Sequence, residues 1–236
     1  MHVRGTEKGN TMASNQQTAP TPARIVCIGD SITYGDTGMG FIAERPWPRI
    51  VGERLGASVI NCGHCGASTR DYRTLPEWQA AREALPGASL ATVMLGTNDI
   101  DGGRCRDEDA LQGVMARYES IIADVQAAAA AQPEPPMPQT GAPLRIAVLT
   151  IPQFALGEPI FARFTRGELV GMNRAVDRFN ELLREAAARH GWQVIELAGV
   201  IDGRRDLYGN TIHPNPLGYQ AIADAVTPRL ARLLAH

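Results

Sequence analysis

Short apolar segments alternate with longer amphipathic ones along the chain, and this alternation predicts the fold class. Five β-rich apolar runs predict strands, at 24–29, 57–61, 90–95, 144–150 and 192–197. Polar and apolar residues recur with helical spacing at 46–55, 77–85, 109–131, 168–190 and 216–234. Strands that alternate with helices pair in parallel through right-handed crossovers. The pattern therefore predicts an α/β fold, a three-layer α/β/α sandwich around a five-stranded parallel sheet.

The size and composition of the chain fit one globular domain. With 236 residues and 44% hydrophobic content, the chain is long enough to bury a sizeable core. We expect this domain to span residues 24–236, with the proline-rich segment 132–143 as a solvated loop inside it. Residues 1–23 are polar and lack the apolar core of a signal peptide, so we expect a disordered leader or a tag and a cytoplasmic location.

Charge and hydropathy argue against a nucleic-acid partner and against a membrane-spanning helix. The net charge of −2 and the pI near 6.2 argue against nucleic acid as a partner. No apolar run approaches the roughly 18 to 20 residues that a membrane-spanning helix needs. A small-molecule substrate is the expectation, and the sequence does not indicate the oligomeric state.

Polar residues with chemical potential stand at the ends of the predicted strands. Ser31 follows the first strand in Gly29-Asp30-Ser31, a sequence that alone is weak evidence because turns favour all three residue types. Gly66 follows the second strand, Asn98 follows the third, and His213 precedes the last helix. The carboxyl ends of parallel strands share one edge of the sheet, where α/β proteins bind ligands. A hydroxyl, a backbone amide, a side-chain amide and an imidazole are the parts of a serine hydrolase.

The chain resembles the SGNH (GDSL-type) serine hydrolase family on four blocks. They are, in the order of the family, Gly29-Asp30-Ser31, Asn61-Cys62-Gly63-His64-Cys65-Gly66, Gly96-Thr97-Asn98-Asp99 and His213-Pro214. The resemblance extends over residues 24 to about 234. It implies the strand order 2-1-3-4-5 and a carboxylic ester hydrolase that needs no metal and no cofactor.

The resemblance also implies a role for each matching residue. Ser31 would attack the ester carbonyl, and His213 would take the serine proton and return it to the leaving alcohol. The oxyanion hole would consist of the backbone amides of Ser31 and Gly66 and the side-chain amide of Asn98. The neighbouring residues Asp30 and Asp99 are expected to be structural hydrogen-bonding groups or helix caps.

One position departs from the family pattern. Where the family has an aspartate three residues before the histidine, this chain has Asn210, which offers His213 an acceptor oxygen but no charge. Three interpretations stay open. Asn210 is a weakened triad member, or Ser31 and His213 act as a dyad oriented by a backbone carbonyl, or Asp206 supplies the carboxylate from another direction.

The sequence leaves three functions open at the same site. The leading prediction is hydrolysis of small acyl esters, acetyl esters among them. The alternatives are acyl transfer to another alcohol through the same acyl-enzyme, and a catalytically weakened hydrolase fold that only binds its ligand. The absence of a charge at Asn210 is the feature that favours the last.

Two further segments have competing interpretations. The spacing of Cys62 and Cys65 is that of a redox dithiol, although the same residues form the glycine block, where modification of Cys65 would inhibit. In the segment 152–167, Phe154, Leu156 and the apolar residues that follow either line an acyl pocket or pack on the core.

Overall fold

The computed structural model describes residues 22–103, 105, 107–131, 143–156 and 164–235. Its strands are β1 (Arg24–Gly29), β2 (Ser58–Gly63), β3 (Leu90–Met94), β4 (Arg145–Leu149) and β5 (Gln193–Ile195). Its α-helices are α1 (Ser31–Tyr34), α2 (Trp47–Leu55), α3 (Pro76–Ala84), α4 (Thr97–Ile100), α5 (Glu108–Ala130), α6 (Arg166–His190) and α7 (Pro216–Ala235). Nearly all of the predicted leader and of the proline-rich segment lies outside the described residues.

The five strands form one parallel sheet in the order β2-β1-β3-β4-β5, as the sequence analysis predicted. The register places Gly29, the last residue of β1, between Gly63 of β2 and Met94 of β3. The three strands therefore end at the same level, and the loops that follow them emerge side by side.

Helices flank the sheet in two packed groups, α2 with α7 and α5 with both α3 and α6. The strands β1 and β3 lie inside the sheet and are buried along nearly their whole length, which explains their continuous apolar runs. Among the described residues, no helix is long and apolar enough to cross a membrane.

The structure differs from the predicted elements in two details. Short helices α1 and α4 begin directly after the turns that follow β1 and β3, where the sequence shows no helical periodicity. Strand β5 is shorter than predicted, because the backbone amides of Leu197 and Ala198 donate to the Thr150 hydroxyl instead of continuing the ladder.

Candidate active site

Ser31 is the first residue of α1 and lies at the carboxyl edge of the sheet. Asp30 caps this helix, because its Oδ1 accepts a hydrogen bond from the Ile32 amide at 2.9 Å. Gly29 is required by space, since a Cβ there would lie 2.1 Å from the Thr33 hydroxyl oxygen and 2.9 Å from the Met94 carbonyl. The turn is therefore tightly packed, and it leaves Ser31 only 4% exposed.

The carboxyl group of Asp30 is fully buried beside the serine. Burial raises its pKa to about 6, against the opposing effect of the hydrogen bond from the Ile32 amide. Asp30 thus serves as the helix cap that the sequence analysis expected, and it carries a free-energy cost when it ionises.

His213 faces Ser31 across the edge of the sheet. Its Nε2 lies 2.8 Å from the Ser31 Oγ, although the two residues are far apart in the sequence. The loop that carries His213 is held at both ends. The Ala155 amide donates to the Thr211 carbonyl at 2.8 Å, and Asn215 caps α7 by accepting from the Leu217 and Gly218 amides.

The imidazole of His213 is mostly buried, and this sets the direction of its pKa shift. Burial lowers the pKa of His213, while the carboxylates of Asp36 and Asp101 act in the opposite direction. The burial effect is the larger one, so the imidazole is neutral at pH 7 and has the form of a base.

The loops after β2 and β3 are tied to each other. The Asn98 Nδ2 donates to the Ala67 carbonyl at 2.9 Å, next to Gly66. Asp99 accepts from the amide and the hydroxyl of Thr69 at 2.8 and 2.7 Å, and Arg117 lies 3.4 Å from the same carboxylate. Asp99 therefore braces the loop, as expected for a structural residue.

Two of the three groups predicted for the oxyanion hole, those of Gly66 and Asn98, lie on these linked loops, and the third is the backbone amide of Ser31 at the start of α1. An amide NH₂ carries two hydrogens, so Asn98 retains one donor besides the one that bonds Ala67. Gly66 has φ +83°, a conformation that favours glycine, and a Cβ there would meet no other atom within 4 Å. The backbone conformation, rather than lack of space, is the reason for glycine at this position.

Asn210 is the side chain that contacts the inner nitrogen of His213. Its Oδ1 accepts from the amides of Ile212 and His213, both at 2.8 Å, which orients the amide group. Its Nδ2 and Oδ1 lie 3.1 and 3.2 Å from the His213 Nδ1. A donor and an acceptor thus face the same ring nitrogen, so this contact does not hold one tautomer of the imidazole as a carboxylate would.

The structure decides against two of the three interpretations of this position. The prediction that Asp206 supplies the carboxylate is wrong, because Asp206 is exposed and pairs with Arg204 at 2.9 Å. Among the described residues, both atoms within hydrogen-bond distance of the His213 Nδ1 belong to Asn210, so no backbone carbonyl orients the ring.

Two acidic residues that act on the imidazole, Asp36 and Asp101, were missed by the sequence analysis. The Asp36 Oδ2 lies 3.8 Å from the His213 Nε2, on the side of the ring that faces the serine. Asp36 follows α1 in the sequence, but no local pattern relates it to the histidine loop. The only signal available in the sequence was that Asp36 lies shortly after the nucleophile block.

The two remaining predicted segments have a structural explanation. The two expectations for the segment 152–167 each hold in part: Phe154 is 3% exposed and packs in the core, whereas Leu156 is exposed and Phe164 lines a cavity between α5 and α6. Ile160 and Phe161 lie outside the described residues. Cys62 and Cys65 are both free thiols. Burial raises the pKa of Cys62 to about 11, and partial desolvation together with the nearby Asp36 carboxylate raises the pKa of the more exposed Cys65 to about 11, the reverse of what a redox dithiol requires.

Comparison with known proteins gives a consistent family and fold. The family model described as GDSL-like lipase/acylhydrolase matches residues 27–221. Comparison with curated protein sequences gives no match.

Solved structures of several esterases are similar to this fold. A carbohydrate acetylesterase family member from Sinorhizobium meliloti has a TM-score of 0.70 at 20% identity and covers 91% of this chain and 100% of its own. The aryl esterase of M. smegmatis has a TM-score of 0.67 at 20% identity, covering 89% and 99%. A lipase/acylhydrolase from Enterococcus faecalis has a TM-score of 0.62 at 17% identity, covering 89% and 95%.

Proposed function

The chain belongs to the GDSL-like lipase/acylhydrolase family, and on this premise we propose that it is a serine esterase acting on small acyl esters. The observation that carries the proposal is the 2.8 Å approach of the His213 Nε2 to the Ser31 Oγ. This distance is within the range in which a base removes the proton of a nucleophile.

The first half of the reaction forms an acyl-enzyme. The Ser31 oxygen attacks the ester carbonyl carbon, and its proton passes to the His213 Nε2. The carbonyl electrons move onto oxygen, where the backbone amides of Ser31 and Gly66 and the side chain of Asn98 donate hydrogen bonds. His213 then gives its proton to the leaving alcohol as the carbon–oxygen bond of the ester breaks.

The second half releases the acid. Water approaches the acyl carbon, and the neutral His213 accepts its proton while the oxygen bonds to carbon. The tetrahedral intermediate collapses, and the proton returns from His213 to the Ser31 oxygen. An alcohol in place of water gives acyl transfer by the same steps, so the two reactions differ only in the acceptor.

The proposal for small acyl groups draws on the similar structures. Ser31 and the neighbouring Ile32 are buried, and Gly29 allows no added side chain. Two of the similar structures are described as a carbohydrate acetylesterase family member and an aryl esterase. The small acyl group, such as acetyl, is inferred from these two similar structures, while the burial of Ser31 indicates only that its hydroxyl is shielded from solvent.

A second candidate function rests on Asn210. Because this residue brings no charge to His213, it favours as the second candidate a catalytically weakened hydrolase fold that only binds its ligand. Active-site labelling distinguishes the two functions. A fluorophosphonate probe should modify Ser31 in an esterase and leave it unmodified in a protein that only binds.

The decisive experiment is a series of p-nitrophenyl esters from acetyl to palmitoyl, assayed with the native chain and with Ser31→Ala. We expect the acetyl ester to be cleaved fastest and Ser31→Ala to remove the activity. Added short alcohols then show whether ester products replace free acid. Equal activity of the native chain and Ser31→Ala would overturn the proposal.

A further inference from the structure

The imidazole of His213 becomes positively charged during the proposed reaction, but its inner nitrogen faces no charge. The Asn210 Oδ1 is already shared by two backbone amides at 2.8 Å, and its Nδ2 is a donor. A protonated Nδ1 therefore meets only an acceptor oxygen, the Asn210 Oδ1, that already accepts two other hydrogen bonds. Because the ring is mostly buried, water compensates the charge poorly.

A carboxylate approaches the same imidazole from the other side. The Asp36 Oδ2 lies 3.8 Å from the His213 Nε2, the nitrogen that also lies 2.8 Å from the Ser31 Oγ. The side chain of Asp36 is 29% exposed, so its charge is only partly screened by solvent. At this distance a carboxylate favours the charged form of an imidazole.

Neighbouring groups hold Asp36 in this position. Its Oδ1 accepts a hydrogen bond from the Gly38 amide at 2.8 Å, and its Oδ2 lies 3.8 Å from the Cys65 Sγ. Its backbone carbonyl accepts from the Tyr219 hydroxyl of α7 at 2.6 Å. The carboxylate is thus fixed on both of its oxygens and on its main chain, which limits its movement away from the histidine.

We propose that Asp36 is a positioning residue that stabilises the protonated His213 in place of the carboxylate that Asn210 does not provide. The proposal rests on the esterase function proposed above. Asp36 neither donates nor accepts a proton in this mechanism. The proton still passes from Ser31 to the His213 Nε2 and on to the leaving alcohol, and Asp36 lowers the free energy of the intermediate cation.

Asp36 is one of two carboxylates that act on this imidazole. The other is Asp101, which follows α4 and is almost fully buried. Asp101 is kept in every variant below, so its contribution is constant. A change caused by Asp36 is therefore separable from the charge of Asp101.

The test is a double-mutant cycle at Asp36 and Asn210. We compare kcat/KM against pH for the native chain, Asp36→Asn, Asn210→Asp and the double variant, with acetyl p-nitrophenyl ester as substrate. Asparagine at position 36 keeps the acceptor for the Gly38 amide and removes only the charge. The matched control is Asp224→Asn, an exposed carboxylate of α7 that pairs with Arg54.

We expect Asp36→Asn to lower kcat/KM about tenfold or more and to move the acid limb to lower pH, since the cation loses a stabilising charge. In the Asn210→Asp background the same change should cost less than about threefold, because a carboxylate then supports the ring. Asp224→Asn should match the native chain in rate and in pH profile.

Equal losses from Asp36→Asn in both backgrounds, with an unmoved acid limb, would overturn the inference and indicate a merely structural role. Thermal melting of each variant identifies a loss caused by unfolding. If Asp36→Asn unfolds, Asp36→Ser takes its place in both backgrounds, because it also removes the charge, and the same expected and overturning results apply. Ser31→Ala tested alongside separates this failure from a failure of the esterase proposal itself.

Discussion

Replacement of Asn210 by aspartate tests most directly how the histidine is supported. The change keeps the shape of the side chain and places a carboxylate oxygen where the Nδ2 now lies, 3.1 Å from the His213 Nδ1. The other oxygen retains both backbone donors at 2.8 Å. Asn210→Asp therefore turns a contact between two neutral groups into one in which a charged carboxylate accepts a hydrogen bond from the Nδ1–H of His213.

The magnitude follows from this geometry. Two unit charges about 3.1 Å apart attract each other by about 5 kcal/mol at an effective dielectric constant of about 20. Burial of the new carboxylate offsets much of this gain. A remainder of about 1.4 kcal/mol already corresponds to a tenfold rate, and loss of the equivalent carboxylate in a serine protease costs about 10⁴ in turnover. We expect kcat to rise at least tenfold.

The assay is steady-state hydrolysis of an acetyl ester across pH 5 to 9 by the native chain and Asn210→Asp. The added charge should also move the acid limb to higher pH, because the imidazolium is better stabilised. Ser31→Ala in the Asn210→Asp background is the control for background hydrolysis. An unchanged kcat with an unchanged acid limb would refute the argument that Asn210 limits the support of the imidazole.

Three further predictions concern pH and reactivity. Because burial lowers the pKa of His213, the acid limb of kcat/KM in the native chain should have its midpoint below pH 6.5, and a midpoint above 7 would contradict this. The Asp30 pKa is raised to about 6 from 3.8, so stability falls as pH rises through this interval. Asp30→Asn should therefore stabilise the fold in urea unfolding by about 2 kcal/mol more at pH 8 than at pH 4, and an equal effect at both values would contradict the burial argument. Cys65, with a pKa of about 11, should react with iodoacetamide far more slowly at pH 7.5 than an ordinary thiol, and complete labelling at alkaline pH should inhibit because Gly66 is adjacent. Rapid labelling at pH 7.5 or full activity of the labelled chain would contradict it.

Most of the fold follows from the hydrophobic pattern. The runs that became β1 and β3 are continuous because both strands lie inside the sheet, and this burial makes them easy to recognise. The sheet order came from the family resemblance, since crossover lengths alone do not fix it. The short α1 and α4 escaped the pattern because four residues span barely one helical turn.

The candidate site was predictable only in part. The residues in motif blocks, Ser31, Gly66, Asn98 and His213, are visible because each block has a recognisable local sequence. Asp36 has none, and its approach to His213 depends on how the loop after α1 packs against the loop before α7. The assignment of Asp206 failed for the same reason, because closeness in the sequence did not place its side chain near the ring.

The turn at Gly38 has a consequence for protein engineering. A Cβ on Gly38 would lie 2.0 Å from the Asn210 Nδ2, and the amide of the same glycine holds the Asp36 carboxylate. The backbone at residues 36–38 therefore helps to position the side chains that lie beside both nitrogens of the imidazole, Asp36 at Nε2 and Asn210 at Nδ1. Anyone who grafts this loop between related scaffolds, or diversifies it in a library, should transfer residues 36–38 and position 210 together as one unit.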